Sequence, residues 1–304
     1  VKKKDLVIIG GGPAGLTAGI YAARAALDAV LLERGVPGGR AVSTEFVENY
    51  PGFSEGVGGP ELMSQMESQA RRFGLEVDSA NVEKLIPDEA GFLIGSDDGD
   101  IQARAVIIAT GMQARALGVK GEAEFLGRGV SFCATCDGAF FRDKEVAVIG
   151  GGDAAVEEAM FLTRFASKVY LIHRRDELRA TKVVQRRAFQ NPKIEFIWNS
   201  TIAEIRGSTT IEAVVIEDVR NGETRLLPVG GVFMYIGNKP NSELVSGLVE
   251  VDEKGYIITD ENMRTSRPGI YAAGDIRRKL LRQVVTAVAD GAIAAMAAES
   301  YLTK

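Results

Sequence analysis

The chain has two cysteines, one histidine and one tryptophan in 304 residues. Two cysteines exclude a disulfide scaffold, and with a single histidine no four-ligand zinc site can be built from Cys and His alone. Proline is scarce, at 9, which excludes collagen-like and Pro-rich linker chains. Strong charge of one sign is also absent. Lys plus Arg number 36 against 41 Asp plus Glu, a net −5, so no broad polyanion-binding surface is expected and no nucleic-acid partner. One uncharged stretch, Leu6 to Ala23, follows three lysines and superficially copies a signal or membrane segment, but it holds five Gly and one Pro. A glycine-rich turn between a strand and a helix accounts for it better than a spanning helix. The Ala-rich stretch Val284 to Ala298 is interrupted by Asp290. No membrane association is therefore expected.

What the chain has in excess is glycine, 35 residues, against an average usage near 7%. The glycines cluster at two places of the same design. Leu6–Ile9 reads as a buried parallel strand, Gly10-Gly-Gly-Pro-Ala-Gly15 as a turn, Leu16–Ala26 as a helix, and Ala29–Leu32 as a second strand ending at Glu33. Val146–Ile149, Gly150-Gly-Gly-Asp-Ala-Ala155, Val156–Phe165 and Lys168–Ile172 repeat the pattern and end at His173. The offset from Gly10 to Glu33 is 23 residues, and from Gly150 to His173 it is again 23. Two βαβ units of equal spacing are far less probable by chance than one. Phe92–Ile101 and Ile211–Leu227 read as β-hairpins, the second turning at Asn221-Gly222. Each is followed by a strand closing on glycine, at Ala105–Gly111 and Val232–Gly237, and a long Ala-rich helix runs from Gln283 to Tyr301. The expected fold is α/β, with two Rossmann-like, three-layer dinucleotide-binding domains, the second inserted in the first. Residues 1–113 and 242–304 form the discontinuous outer domain and 114–241 the inner one.

In the first fingerprint, Gly10 allows the tight turn, Gly12 lets backbone approach a pyrophosphate, and Gly15 lets helix pack on strand. Glu33 stands where a carboxylate bonds ribose hydroxyls. The second fingerprint is Gly150-x-Gly152-x-x-Ala155. There the acid is replaced by His173, followed by Arg174, Arg175 and Arg179. Guanidinium groups grip phosphate bidentately, so this exchange predicts NADP over NAD. The alternative is a solvated basic helix start. His173 is expected at adenine or phosphate rather than as a catalytic base.

Cys133-Ala-Thr-Cys136 has the spacing of a reversible disulfide and lies just ahead of the second fingerprint. Asp137 follows at once and is a candidate proton donor, or alternatively a helix cap. A pair of inert core thiols is the bland alternative. Two nucleotide sites and one dithiol imply an electron path, and flavin is the natural connector between hydride and disulfide. FAD is thus expected at the first site and NADPH at the second, with no metal.

These stretches, with Val47-Glu-Asn-Tyr-Pro-Gly52, Ser131-Phe-Cys-Ala-Thr-Cys-Asp-Gly138, Tyr271-Ala-Ala-Gly-Asp275 and Leu281-Arg-Gln-Val-Val-Thr286, resemble the low-molecular-weight, bacterial-type thioredoxin reductases among the pyridine nucleotide-disulfide oxidoreductases, over almost the whole length. The resemblance implies an NADPH-dependent reductase of thioredoxin, a homodimer, whose inner domain swings between two positions; a working dithiol and the absence of a targeting segment lead one to expect the cytoplasm. It implies FAD contacts from Gly10, Gly12, Pro13, Ala14, Gly15, Glu33, Arg34, Gly39, Arg40, Asn49, Thr110, Gly111, Gly274, Asp275, Arg282, Gln283 and Val284. It implies NADPH contacts from Gly150, Gly152, Asp153, Ala154, Ala155, His173, Arg174, Arg175, Arg179, Ile236 and Gly237. Cys136 would sit beside flavin, Cys133 would attack thioredoxin, and Asp137 would be the acid. One departure is Arg40, where the family commonly has glutamine. Competing readings are a dithiol oxidase or a ferredoxin- or deazaflavin-driven reductase, neither of which needs the arginine cluster, and a non-catalytic nucleotide-binding or redox-sensing protein, which has no reason to keep Cys133, Cys136 and Asp137 together.

Overall fold

A computed structural model describes residues 1–44 and 46–303. The chain divides into two compact units, Val1–Gln113 with Lys239–Lys304, and Ala114–Asn238. The first unit opens with β1 (Lys2–Ile9), α1 (Pro13–Arg24), β2 (Ala29–Glu33), α2 (Gly59–Arg72), β3 (Glu76–Ser79), β4 (Val82–Asp88), β5 (Gly91–Ser96) and β6 (Gly99–Ile108). A short strand β7 (Met112–Ala114) leads into the second unit: β8 (Val130–Ser131), α3 (Ala134–Asp137), β9 (Glu145–Gly150), α4 (Asp153–Leu162), β10 (Lys168–Ile172), α5 (Lys182–Phe189), β11 (Ile194–Ile197), β12 (Ser200–Gly207), β13 (Ile211–Asp218), β14 (Thr224–Pro228) and β15 (Gly231–Tyr235). β16 (Asn238–Pro240) leads back, and β17 (Ile270–Ala272) and α6 (Val284–Leu302) complete the first unit.

In the first unit the strand order is β3-β2-β1-β6-β5-β4, and β17 also pairs with β6. β6 is one continuous strand, parallel to β1 from Ile101 to Ile108 and antiparallel to β5 over its first half. The hairpin and the buried strand that the sequence presents separately are therefore joined. Alternation along β1 divides the core. Leu6 and Ile8 face α1, α2 and α6, while Val7 and Ile9 face the layer that holds Leu85, Phe92 and Ile94. β1 also starts earlier than its apolar run, with two of its three lysines neutralised. Lys2 pairs with Glu76, and Lys4 with Asp28 at 2.6 Å and Glu76 at 2.7 Å.

The second unit has a five-stranded parallel sheet, β11-β10-β9-β15-β8, and a three-stranded antiparallel sheet, β12-β13-β14. Val146 and Val148 of β9 pack with α4 and α5, while Ala147 and Ile149 face the antiparallel layer through Ile202, Ile205 and Val214. Each unit thus has a run of parallel strands covered by helices on one face and by antiparallel strands on the other, and its glycine turn lies at the carboxyl ends of the parallel strands, where such folds bind ligands.

Candidate active site

In the first unit the three fingerprint glycines answer to different demands. A β-carbon on Gly10, at φ 107°, would lie 2.4 Å from the Ala109 carbonyl oxygen, and one on Gly15 would lie 1.8 Å from the Gly10 oxygen. Those two serve the fold. A β-carbon on Gly12 would meet only the Gly39 Cα, at 3.9 Å, so the fold itself does not demand glycine there and the loop is open to close approach from outside. Gly12 caps α1 without a side-chain hydrogen bond and Pro13 opens the helix, leaving its first N–H groups directed at an anion. Glu33 Oε2 accepts from Gly11 N–H at 2.7 Å and Oε1 from Gly35 N–H at 3.0 Å. Each oxygen keeps a lone pair for a ribose hydroxyl. Arg34 is exposed beside it.

A second cluster gathers on the Gly274–Asp275 turn. A β-carbon on Gly274, at φ 81°, would lie 2.9 Å from the Ala14 Cβ, which brings the turn against α1. Asp275 is half-buried, and burial pushes its carboxyl above the usual range, opposed by the nearby charges of Lys279, Arg282 and Arg40. Its Oδ1 is shut off from solvent without a hydrogen-bond partner, and so is Arg282 Nε. Such orphaned groups are rare in a folded interior and mark where a ligand completes the set. Arg282 stacks over the Tyr256 ring at 4.0 Å. Asn49 donates to Gln283 Oε1 at 3.1 Å, and Gln283 caps α6 ahead of Val284. Thr110 Oγ1 donates to the Asn241 carbonyl and Asn241 Nδ2 returns a bond to the Thr110 carbonyl, both 2.8 Å, which presents the uncrowded Gly111. The glycine turn, the ribose carboxylate and the unsatisfied Asp275 fit a flavin dinucleotide.

The second unit repeats the first with one exchange. Gly150 is crowded by the Tyr235 carbonyl, 2.5 Å from a β-carbon, while nothing lies within 4 Å of one on Gly152. Gly151 packs on the His173 ring just as Gly11 packs on Glu33. His173 is only 4% exposed and sits beneath the loop, and its Nε2 is shut off from solvent without a hydrogen-bond partner, as Asp275 Oδ1 is. Burial first, then Arg179, Arg175 and Arg174, pushes the His173 pKa down. The segment after it is tied to the loop: Arg179 N–H and Ala180 N–H donate to the Gly151 carbonyl at 2.7 and 3.0 Å, and Thr181 N–H to Asp153 Oδ1 at 2.7 Å. Arg174, Arg175 and Arg179 are exposed, and among the described residues no side chain pairs with them. Three uncommitted guanidinium groups beside a glycine turn fit a phosphorylated ribose. Ala154 is exposed and Ala155 buried at the start of α4, and Ile236 and the open Gly237 close β15.

Cys133 and Cys136 form a disulfide, S–S 2.06 Å, across the short helix α3. Cys133 is half-buried and Cys136 exposed. Cys133 Sγ accepts from Cys136 N–H at 3.2 Å and lies 3.3 Å from Thr135 Oγ1. Ser131, buried, organises the loop: its hydroxyl donates to Asp137 Oδ2 at 2.7 Å and accepts from Cys133 N–H at 3.0 Å. Asp137 therefore faces the dithiol loop through Ser131. Tyr235 links this loop to the nucleotide turn, its hydroxyl accepting from Ala134 N–H at 2.9 Å while its carbonyl abuts Gly150. Sequence reasoning missed Ser131, Tyr235, Asn241, Tyr256 and Asp290 as site residues. Only Asp290 carried a signal, as a lone charge in an apolar helix. Among the described residues no group of His, Cys, Asp and Glu is placed to hold a metal.

The profile of the pyridine nucleotide-disulphide oxidoreductases matches residues 4–291. A thioredoxin reductase of Listeria innocua is 49% identical over 98% of this chain and 93% of its own length. The chain belongs to the thioredoxin reductases of that family. A thioredoxin reductase of Bacillus subtilis is 48% identical over 98% of this chain and 94% of its own length. The crystal structure of the Lactococcus lactis thioredoxin reductase, 48% identical, superposes with a TM-score of 0.96 over 99% of both chains. That of T. acidophilum, 34% identical, gives 0.93 over 99% of both. Among thioredoxin reductases, then, this chain has the full two-unit fold and the disulfide pair.

Proposed function

We propose that the protein is an NADPH-dependent flavoenzyme that reduces the disulfide of thioredoxin. The carrying observation is that one unit, Ala114–Asn238, holds both the Cys133–Cys136 disulfide and a glycine turn flanked by three uncommitted arginines. FAD belongs to the first unit, at Gly10–Gly15, Glu33, Gly39, Asn49 and Asp275, and NADPH to the second. When bound, FAD supplies hydride acceptance from NADPH and delivery of the electron pair to a disulfide. In sum NADPH, a proton and the partner disulfide become NADP⁺ and a dithiol.

The chain's own residues do the rest. Cys136, the exposed sulfur, receives the electrons as the Cys133–Cys136 bond opens. Cys133 is the attacking sulfur, because the Cys136 N–H and the Thr135 hydroxyl sit at its Sγ and favour a thiolate there. Its thiolate attacks one partner sulfur, the partner's S–S bond breaks, and a mixed disulfide forms. The Cys136 thiolate then attacks Cys133 Sγ, restores the intramolecular bond and expels the second partner thiolate. Asp137, held by Ser131, carries the proton that the departing thiolate takes up. A dithiol oxidase or a ferredoxin-driven reductase has no use for Arg174, Arg175 and Arg179.

Anaerobic titration of the yellow protein with NADPH and NADH, followed by addition of thioredoxin, tests this reading. Bleaching by NADPH, poor bleaching by NADH and recovery of colour on adding oxidised thioredoxin are expected, and no bleaching by NADPH rejects it. The protein works as a homodimer in the cytoplasm, where a reducing pool keeps dithiol partners supplied. In support, α6 leaves Ile293 and Met296 exposed near Tyr21 of α1, an apolar face suited to a second copy. Sedimentation tests this, with a monomer as the contrary result. No described helix is long and apolar enough to cross a membrane.

A further inference from the structure

α6 buries a carboxylate in an otherwise apolar helix. Asp290 is 6% exposed, and both its oxygens are engaged. Oδ1 accepts from Arg277 Nη1 at 3.0 Å, and Oδ2 accepts from Gly274 N–H at 3.0 Å and from Lys279 Nζ at 2.8 Å. Arg277 is itself oriented by Thr259, to which its Nε donates at 2.9 Å. The next residue, Gly291, lies so close to α1 that a β-carbon there would fall 2.1 Å from the Ala14 carbonyl oxygen. Asp290 is therefore fixed on both sides.

Lys279 has two carboxylates within reach and is committed to one. Its Nζ bonds Asp290 and, at 3.1 Å, Thr286 Oγ1, yet stands 4.0 Å from Asp275 Oδ1. That Asp275 oxygen is the buried one with no hydrogen-bond partner. A buried carboxylate oxygen left without a donor is costly. A shift of the ammonium group by about 1 Å would satisfy it at ordinary hydrogen-bond distance. The arrangement instead holds Lys279 back and leaves Asp275 Oδ1 available to a hydroxyl donor. The hydroxyls of the FAD sugar-alcohol chain are such donors, whereas its diphosphate is not.

We propose that Asp290 is a positioning residue that sequesters Lys279 and so keeps Asp275 open to a hydroxyl of FAD. This rests on the reading that Asp275 holds FAD. Without the Asp290 charge, Lys279 closes on Asp275 and competes with the cofactor. Removing Lys279 as well abolishes the competition, so the second substitution repairs the first.

The test is FAD dissociation on dilution of the purified holoenzyme, followed by the rise in flavin fluorescence, with thermal unfolding recorded alongside. Asp290→Asn is expected to raise the Kd for FAD about tenfold, the loss of one charge-assisted hydrogen bond. Lys279→Met alone, and Asp290→Asn with Lys279→Met, are expected to stay within about threefold of the unmodified protein. An unchanged Kd in Asp290→Asn overturns the proposal, as does a double variant no better than Asp290→Asn alone, since Asp290 would then act only through Gly274 and Arg277. If Asp290→Asn does not fold, Lys279→Met decides: retained affinity supports sequestration, and a loss of about tenfold or more makes Lys279 an FAD ligand and overturns it. Asp275→Ala separates the two levels. Undiminished FAD affinity there rejects Asp275 as an FAD site, whereas lost affinity there, together with an Asp290→Asn loss that Lys279→Met does not repair, rejects sequestration alone.

Discussion

Replacing Arg175 and Arg179 together by glutamine isolates what the second unit contributes to cofactor choice. Neither guanidinium has a hydrogen-bond or ion-pair partner among the described side chains, and both are exposed. Their loss therefore takes little from the fold, and the unfolding free energy is expected to stay within the scatter of surface substitutions, about ±0.5 kcal/mol. Toward a ribose phosphate the loss is larger. A charge-assisted hydrogen bond is worth about 1.5–3 kcal/mol when sheltered. At this exposed site about 1–1.5 kcal/mol each is the appropriate discount, or roughly 30- to 150-fold for the pair. Calorimetric titration with NADP⁺ is expected to show that rise in Kd, while kcat/KM with NADH changes less than about threefold. The same variant has a second readout. His173 is the chain's only histidine, and the arginines are the second cause, after burial, of its lowered pKa. Its single imidazole NMR titration should move upward in the variant and still lie below the ordinary value, because burial remains. Equal losses with NADPH and NADH would refute the assignment of these arginines to a 2′-phosphate.

Gly12→Ala and Gly15→Ala are expected to fail differently. The first has room for its methyl group and should fold but release FAD, whereas the second meets the Gly10 oxygen and should lose stability as well, as denaturant unfolding of the two apoproteins would distinguish. Ser131→Ala removes the bonds to Asp137 and to Cys133 N–H. It should cost about 1–3 kcal/mol in urea unfolding and slow thioredoxin reduction while leaving flavin bleaching by NADPH intact; unimpaired thioredoxin turnover would remove Ser131 from the dithiol site. Tyr271, buried with its hydroxyl donating to the Ala297 carbonyl, has its pKa raised by burial from 10.0 to about 12. Its contribution to stability is complete below pH 10 and is lost as the pH rises toward about 12, because the unfolded chain ionises first. Tyr271→Phe should flatten that alkaline limb. His173 has the opposite sense, its lowered pKa costing stability as the pH falls below 6.5, so His173→Asn should flatten the acid limb near that pH, provided the loop still closes.

Much of the architecture is legible in the order of residues because it is set locally. The 23-residue recurrence from glycine turn to strand end, the Asn221-Gly222 hairpin and the Cys133–Cys136 pair each depend on φ/ψ freedom or on reach within a few residues. Glu33 and His173 were visible because βαβ geometry returns the second strand beside the first turn. The extent of β6 was not, since its polar first half is held by pairing with both β1 and β5 rather than by its own apolar pattern.

The sequence by itself determined that there are two dinucleotide turns, one reversible dithiol and a basic segment where a phosphate-repelling acid would otherwise stand. Only the tertiary structure decided which side chains complete those sites. Asn49 meets Gln283 across 234 residues, Thr110 meets Asn241 across 131, and Ala134 meets Tyr235 across 101. Lys279 goes to Asp290 rather than Asp275 because α6 packs through Gly291 onto the first turn of α1. No periodicity encodes that choice: it follows from where a helix comes to rest, and a shift of about 1 Å in the ammonium group would reverse it.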